Sequence, residues 1–203
     1  MDHIEKELEA GRAVILPTET VYGIFAKALD QEAVDYIYEL KRRPRDKALN
    51  LNVADEKTIR IYSKKQPSYL TKLIHSFLPG PLTIILQAND KVPDWIHSGL
   101  DTVGFRIPAH PKTLDLIRKY GPLVGPSANL SGHASGTKYR AIVSEFDQVV
   151  PGIGDDDFLT GQDSTILDIS SSKARILRQG SITKADLLAQ VPELSFEEDE
   201  LPQ

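Results

Sequence analysis

The stretch from Lys41 to Asn52, KRRPRDKALNLN, concentrates positive charge in a chain whose formal net charge is −5. Five of its first seven residues are lysine or arginine. The residues before it, 31–41, carry apolar side chains at helical spacing, and Pro44 cannot continue a helix. The segment ALNLNV after it has the composition of a strand. The stretch therefore predicts a helix, a basic loop and a strand in direct succession.

Two interpretations of this charge remain open from the residues alone. Cations at the C-terminus of a helix are stabilised by its macrodipole and need no ligand. Arg45 and Lys47, however, lie beyond the helix, where the dipole gives no such gain. Guanidinium and ammonium groups gathered in one loop are the donors that phosphate oxygens accept. We favour the second interpretation, in which the loop receives a polyanion.

The chain has 203 residues, 40% apolar content and no cysteine. This length supports one domain, which we expect to span residues 1–190. The acidic segment 191–203 is expected to be a disordered tail. Without cysteine there is no disulfide, thiolate nucleophile or cysteine-based zinc site. The N-terminus does not resemble a signal peptide, and the apolar runs are too short to span a bilayer, so we expect a cytoplasmic protein without membrane contact.

Periodicity predicts most of the secondary structure. Helices are expected around residues 4–10, 31–41, 68–78, 111–120 and 139–146, with a last short helix starting at Thr183. Strands are expected at residues 13–16, 82–88, 102–108, 164–169 and 174–177, besides the one after the basic loop. The segment LTIILQA, 82–88, is predicted to be buried.

Arg106 lies among apolar neighbours in TVGFRIP, residues 102–108. Arginine is almost never fully buried without a partner. We therefore expect Arg106 to meet a carboxylate, which either the chain or a substrate supplies.

The segment LVGPSANLSGHASG, residues 123–136, contains three serines, an asparagine and three glycines in the space of a loop. Hydroxyls, an amide and backbone N–H groups in a glycine-rich turn can hold anionic oxygens. The segment does not have the G-x-x-x-x-G-K-[ST] order of a P-loop. A flexible connection remains the alternative.

Three further features favour structural roles. Trp95 is predicted to be a local packing anchor, and His110, which lacks metal-ligand spacing, is predicted to be structural or solvent-facing. Asp155–Asp157 are interpreted as part of a solvated surface loop. No metal site made by the protein alone is expected.

Seven segments in this order, PTETVYG, KRRPRDKAL, PGPLT, VGFRIP, PSANLSG, DSTILD and ILRQG, resemble the YrdC-like family of threonylcarbamoyl-adenylate synthases. They extend from residue 17 to about residue 180. The resemblance implies an α/β fold, an open twisted sheet with a basic concave face. It implies a nucleotidyltransferase that makes threonylcarbamoyl-AMP and pyrophosphate from L-threonine, bicarbonate and ATP, with Mg²⁺ accompanying the ATP. The product would pass to tRNA threonylcarbamoyl-transfer proteins.

The resemblance also implies roles for individual residues. Lys41, Arg43, Ser127 and Asn129 would be catalytic. The ATP site would comprise Arg43, Lys47, Thr102, Ser127, Ser135 and Arg178. The L-threonine site would comprise Thr20, Asn52, Arg106, Gly125 and Ser164.

Two departures from the family pattern concern Ala48, where many members have proline, and Asn52, where many have histidine. Asparagine can donate and accept hydrogen bonds at similar reach but carries no charge, so threonine affinity is expected to differ. A hypothesis of another class is an RNA-binding module that holds tRNA on the basic face without catalysis. A carbamoyl-phosphate-using relative is disfavoured, since those chains carry zinc-finger cysteines.

Overall fold

The computed structural model describes residues 3–147 and 149–197. The helices in this part of the chain are α1 (His3–Glu9), α2 (Gln31–Lys41), α3 (Glu56–Tyr62), α4 (Leu70–Phe77), α5 (Asp94–His97), α6 (Pro111–Tyr120), α7 (Tyr139–Glu145) and α8 (Lys184–Gln190). The strands are β1 (Val14–Leu16), β2 (Gly23–Lys27), β3 (Leu51–Asn52), β4 (Ser63–Lys64), β5 (Leu82–Ala88), β6 (Thr102–Arg106), β7 (Leu123–Val124), β8 (Thr165–Asp168) and β9 (Arg175–Arg178). The expected α/β class is confirmed.

The described strands form one mixed sheet in the order β1-β2-β7-β3-β6-β5-β8-β9, and β4 pairs with β5. The pairs β3/β6 and β5/β8 are parallel, and the other pairs are antiparallel. The parallel pairs bring strands that are distant in sequence to the centre of the sheet. Consequently the loops after β1, α2 and β7 and the segment before β8 can meet over one face.

The two faces of the sheet are covered differently. Because strand side chains alternate, Val103 and Phe105 of β6 point to one face, into the main core with residues of α2, α3, α4 and α8. On the other face, Phe25 and Leu123 pack with α1 and α6 in a smaller core. These two helices cover only the end of the face formed by β1, β2 and β7. The middle of that face, including Arg106, carries polar side chains.

The strand predicted to be buried, β5, is buried mainly on one side. Leu82, Ile84 and Leu86 are fully buried, whereas Ile85 and Gln87 are partly exposed. The reason is that Ile85 and Gln87 lie on the incompletely covered face. The helix predicted before the basic loop is confirmed as α2.

The segment expected to be a disordered tail is packed through residue 197. Val191 and Leu194 are buried, and the Ala174 N–H donates to the Ser195 carbonyl at 2.8 Å. Apolar residues within an acidic composition account for this, because they extend the core beyond α8. Residues 198–203 of the expected tail lie outside the described residues. Across the described ranges, none of the helices combines the length and apolar character needed to cross a membrane.

Candidate functional site

A cavity of about 250 Å³ opens on the incompletely covered face of the sheet. Its lining is mostly polar, and it combines several segments singled out in the sequence. The polar side chains are Thr18, Tyr22, Arg43, Asn50, Asn52, Thr83, Arg106, Ser127, Asp163, Ser164 and Arg178, with Gly23 and Gly125 also contributing. A polar lining that includes three arginines suits an anionic ligand that accepts several hydrogen bonds.

Arg106 ends β6 and points into this cavity region. Its Nη2 donates to Glu19 Oε1 at 2.6 Å and to Thr20 Oγ1 at 2.7 Å. The carboxylate that Arg106 was expected to need is therefore supplied by the chain. Arg106 Nε is buried and has no hydrogen-bond partner among the described residues. The guanidinium group thus keeps donor capacity beyond its ion pair.

Arg43 follows α2 and contributes a second guanidinium group to the cavity. Its Nε donates to the Lys47 carbonyl at 3.1 Å and its Nη2 to the Ala48 carbonyl at 2.8 Å. Burial, which disfavours the charged form, lowers the pKa of Arg43 from its usual value. Arg43 remains cationic, and these carbonyl partners do not neutralise it.

The other cations of the basic stretch do not all face the cavity. Arg45 pairs with Asp35 and lies 4.6 Å from the Tyr38 ring centroid. Lys47 is exposed, and its carbonyl accepts hydrogen bonds from Arg43 and Tyr38. The basic loop therefore divides into one cavity-lining arginine and cations that face solvent or neighbouring side chains.

Lys41, the last residue of α2, is almost fully buried beneath residues 125–136, which we call the serine-rich turn. Its Nζ donates to the Ser127 carbonyl at 2.5 Å and to the Asn129 carbonyl. Burial, followed by the charge of Arg43, lowers the pKa of Lys41 to about 8. The resemblance implied a catalytic role for Lys41. The structure directs its ammonium group to carbonyls, and the residue is not part of the cavity lining.

The serine-rich turn contributes Gly125, Pro126 and Ser127 to the cavity. Asn129 lies behind it, where its Nδ2 donates to the Leu130 and His133 carbonyls at 2.9 and 3.0 Å. Ser135 is outside the lining, and its hydroxyl lies 3.3 Å from both oxygens of Asp163. The structure thus separates the catalytic candidates into cavity-lining and supporting residues.

Arg178 and Ser164 form the opposite wall. Arg178 Nη2 donates to Ser164 Oγ at 3.0 Å, and its Nε donates to the Ser164 carbonyl at 2.9 Å. The Ser164 hydroxyl also lies 2.9 Å from Thr83 Oγ1. This network fixes the hydroxyl groups of β5 and β8 beside the arginine.

Asn52 and Gly125 are packed closely on this face. A Cβ atom at Gly125 would lie 2.4 Å from Phe25 Cε1 and 2.8 Å from Asn52 Nδ2, so glycine permits the approach of the turn to β3. Asn52 is buried, and its Nδ2 lies 3.4 Å from the Leu123 carbonyl. An asparagine at this position therefore has space for its amide only because Gly125 lacks a side chain.

Thr20 and Thr102 lie outside the lining. Thr20 is buried and bonded to Arg106. Thr102 occupies the same face of β6 as Arg106, four residues or about 13 Å away along the strand. Thr102 would therefore meet only a ligand that extends along the strand from the cavity.

Sequence reasoning did not assign Thr18, Tyr22, Asn50, Thr83 or Asp163 to the site. Most of them fall inside the motifs that were singled out, as Thr18 and Tyr22 do in PTETVYG and Thr83 does in PGPLT. The motifs thus located these segments, but the sequence alone does not show which of their side chains face the cavity.

The residues predicted to be structural lie away from the cavity. Trp95 Nε1 donates to the Ala28 carbonyl at 3.0 Å. His110 is buried, with its Nε2 at 3.2 Å from Asp155 Oδ2 and its ring against Phe158. Neither residue belongs to the cavity lining.

Asp163 gives the cavity wall a carboxylate, which is a ligand type that Mg²⁺ prefers. Within the described ranges, no group of three or more histidine, aspartate or glutamate side chains is placed to hold a metal ion. The donor set therefore fits a cation that arrives with an anionic ligand and takes one or two protein oxygens.

The comparisons with known proteins identify the family of the chain. A model of the Sua5/YciO/YrdC family, which carries the description "Telomere recombination", matches residues 6–180. The chain belongs to the Sua5/YciO/YrdC family. A threonylcarbamoyl-AMP synthase of Pyrococcus abyssi is 38% identical over 177 residues, and one of Bacillus subtilis is 39% identical over 185 residues.

Family members of known structure have the same fold. The crystal structure of P. abyssi Sua5 complexed with L-threonine is 35% identical, has a TM-score of 0.88 and is matched over 95% of this chain and 57% of that one. The two synthases are matched over 86% and 90% of this chain but only 52% and 54% of their own lengths. The chain thus spans about half the length of these curated relatives.

Proposed function

We propose that this chain is an L-threonylcarbamoyladenylate synthase, a nucleotidyltransferase that converts L-threonine, bicarbonate and ATP to threonylcarbamoyl-AMP and pyrophosphate. One observation carries the proposal: Arg43, Ser127 and Arg106, from three distant segments, line one cavity. The names of the P. abyssi and B. subtilis relatives and the L-threonine complex of Sua5 support it. The product would serve tRNA threonylcarbamoyl-transfer proteins in the cytoplasm.

Arg43 and Arg106 divide the cavity between the substrates. Arg43, bonded to carbonyls and not neutralised by them, suits the triphosphate, and Ser127 and Arg178 add donors for phosphate oxygens. Lys47 is exposed and precedes the lining residue Ala48, so it would meet phosphate oxygens only outside the cavity. Arg106 suits the threonine carboxylate. In this arrangement Thr20, Asn52, Gly125 and Ser164 enclose the amino acid, while Thr102 and Ser135 lie toward the nucleotide.

The reaction needs alignment more than acid–base groups. The threonine amine and bicarbonate give a carbamate and water, and a carbamate oxygen then attacks the α-phosphorus of ATP while pyrophosphate leaves. In such a transfer, most of the rate comes from positioning the reactants and from neutralising charge on the phosphate oxygens. Arg43 and Arg178 would supply that charge. Lys41 and Asn129 would hold the serine-rich turn in place.

Mg²⁺ is proposed to arrive with ATP, with Asp163 as the cavity residue that would hold it. The cation would neutralise charge on the triphosphate when bound. The protein's own contribution is to hold the Asp163 carboxylate beside Ser135 and Arg178, within 3.3 Å of the first and 3.9 Å of the second.

The test is to incubate the pure protein with ATP, Mg²⁺ and bicarbonate, with L-threonine or L-serine, and to measure pyrophosphate and the adenylate product. We expect pyrophosphate release that depends on threonine and bicarbonate. Pyrophosphate release when threonine or bicarbonate is omitted would contradict the proposal. Failure to form the adenylate product would also contradict it. The alternative is tRNA binding without catalysis, which the concentration of lysine and arginine in the basic loop would support. This alternative predicts that the affinity for tRNA falls steeply as salt rises, and that the protein shows no threonine-dependent turnover.

A further inference from the structure

We propose that Glu19 is a positioning residue for threonine binding, because it holds and neutralises Arg106 so that the remaining guanidinium donors serve one substrate carboxylate. The inference rests on the proposed function and deepens it. Glu19 is not part of the cavity lining, whereas Arg106 is. Glu19 would therefore act on the substrate through Arg106.

Both oxygens of the Glu19 carboxylate are already engaged. Oε1 accepts from Arg106 Nη2 at 2.6 Å, and Oε2 accepts from the Ala109 N–H at 2.8 Å. The side chains of Glu19 and Arg106 are only 14% and 13% exposed. A carboxylate with two such partners is fixed in position, and a salt bridge sheltered from water is screened little by salt.

The backbone around Glu19 is held as firmly as its side chain. The Glu19 carbonyl accepts from the Thr160 N–H at 3.0 Å, and the Thr20 carbonyl accepts from the Gly161 N–H at 2.8 Å. Thr18 Oγ1 donates to the Val21 carbonyl at 2.7 Å. Glu19 therefore presents a pre-organised acceptor to Arg106.

The ion pair uses only one of the guanidinium nitrogens. Within residues 3–147 and 149–197, the side-chain hydrogen bonds of Arg106 to Thr18, Glu19 and Thr20 are all made by Nη2. Nε is buried without an acceptor in that part of the chain. A buried donor without a partner is unfavourable, so an acceptor from the ligand would be favoured there.

The charge balance around Arg106 differs from that around Arg43, another arginine of the cavity lining. Arg43 is held by two carbonyls, which leave its positive charge in place for a polyanion. Arg106 and Glu19 form a pair with no net charge. A neutral pair suits threonine, which is a zwitterion at neutral pH, and disfavours a phosphate group. Glu19 would thus keep phosphate out of the threonine end of the cavity.

Two variants of Glu19 and one matched control test the inference. Glu19→Gln removes the charge but keeps the size, and Glu19→Asp keeps the charge but shortens the reach. Glu7→Gln is the control, because Glu7 forms a two-oxygen ion pair with Arg12 and is 13% exposed, outside the cavity lining. The measurements are calorimetric titration of L-threonine and of ATP, and competition of inorganic phosphate against threonine.

We expect Glu19→Gln to weaken threonine binding about 10-fold or more while ATP affinity stays within about 2-fold, because a buried charge pair loses one partner. Inorganic phosphate should become a competitor of threonine in this variant. Glu19→Asp should recover part of the threonine affinity, and Glu7→Gln should behave as wild type.

Unchanged threonine binding in Glu19→Gln would overturn the inference. Equal losses of threonine and ATP in both Glu19 variants would also overturn it, because they would indicate a purely structural role. Wild-type protein that binds no threonine would instead contradict the proposed function, so the two failures are distinguishable.

Discussion

The ammonium nitrogen of Lys41 lies 2.5 Å from the carbonyl oxygen of Ser127. This contact joins the end of α2 to a turn that is 86 positions later in the chain. The Lys41 carbonyl also accepts from the Ser131 N–H at 2.9 Å. One residue therefore fixes the basic loop against the serine-rich turn by both its side chain and its main chain.

Replacing this lysine should loosen the turn. We expect Lys41→Met to lower the free energy of unfolding by about 2 kcal/mol at pH 7, because one buried and one partly buried carbonyl lose their donor while the cost of burying a charge is relieved. Urea unfolding measures this. The control is Lys47→Met, an exposed cation of the same loop, which should change stability by less than about 0.5 kcal/mol. Equal effects of the two variants would contradict the assigned role.

The lowered pKa of Lys41 predicts a pH dependence of stability. Its folded pKa is about 8, against 10.5 for the free side chain, so the unfolded chain binds more protons between these values. The unfavourable burial of the ammonium group is present below pH 8 and is relieved as pH rises. This residue should therefore add about 2 kcal/mol to the free energy of unfolding between pH 8 and pH 10.

The comparison that isolates this effect is wild type against Lys41→Met, with urea unfolding at pH 8, 9 and 10. Burial raises the pKa of Tyr22, so this residue lowers the free energy of unfolding, but only as pH rises above 10. The difference in stability between the two proteins should widen with pH up to 10. A constant difference would show that Lys41 does not titrate in this range.

Sequence reasoning could predict the elements and the residue types of the site, since α2, β5, β6 and α6 follow from apolar spacing and from proline and glycine at their ends. It could not predict that the Lys41 ammonium group donates to carbonyls of the serine-rich turn. The direction of a long side chain depends on which carbonyls the distant turn presents, and these are fixed by the pairing of β7 with β2 and β3.

The same limit applies to Glu19 and to the short elements. Glu19 belongs to a recognised motif, yet its partner Arg106 is 87 residues away, and only the fold brings them together. The helix α3 has seven residues, and one of them is buried, Ile59, so it has little apolar periodicity to detect. The burial of Val191 and Leu194 could not be predicted, because the acidic composition around them is typical of a disordered tail.

Arg43 should be required for the nucleotide. We expect Arg43→Ala to lower kcat/KM for ATP about 100-fold or more, because the cavity loses a charge that would neutralise phosphate oxygens. Arg45→Ala is the matched control, since Arg45 belongs to the same loop but pairs with Asp35 and stacks on Tyr38. Steady-state pyrophosphate release with varied ATP gives the result. Parental activity in Arg43→Ala would remove it from the phosphate site.

Arg106 should discriminate between the two substrates. Lysine keeps the charge but lacks the planar guanidinium group, whose several donors can bind Glu19, Thr20 and a substrate carboxylate at the same time. We therefore expect Arg106→Lys to raise the KM for threonine about 10-fold to 100-fold, with the KM for ATP within about 2-fold. The control is Arg118→Lys, because Arg118 is an exposed arginine that pairs with Asp115 on α6 at 2.9 Å. If both substrates lose affinity equally in Arg106→Lys, the guanidinium group supports the cavity as a whole and does not read the threonine carboxylate.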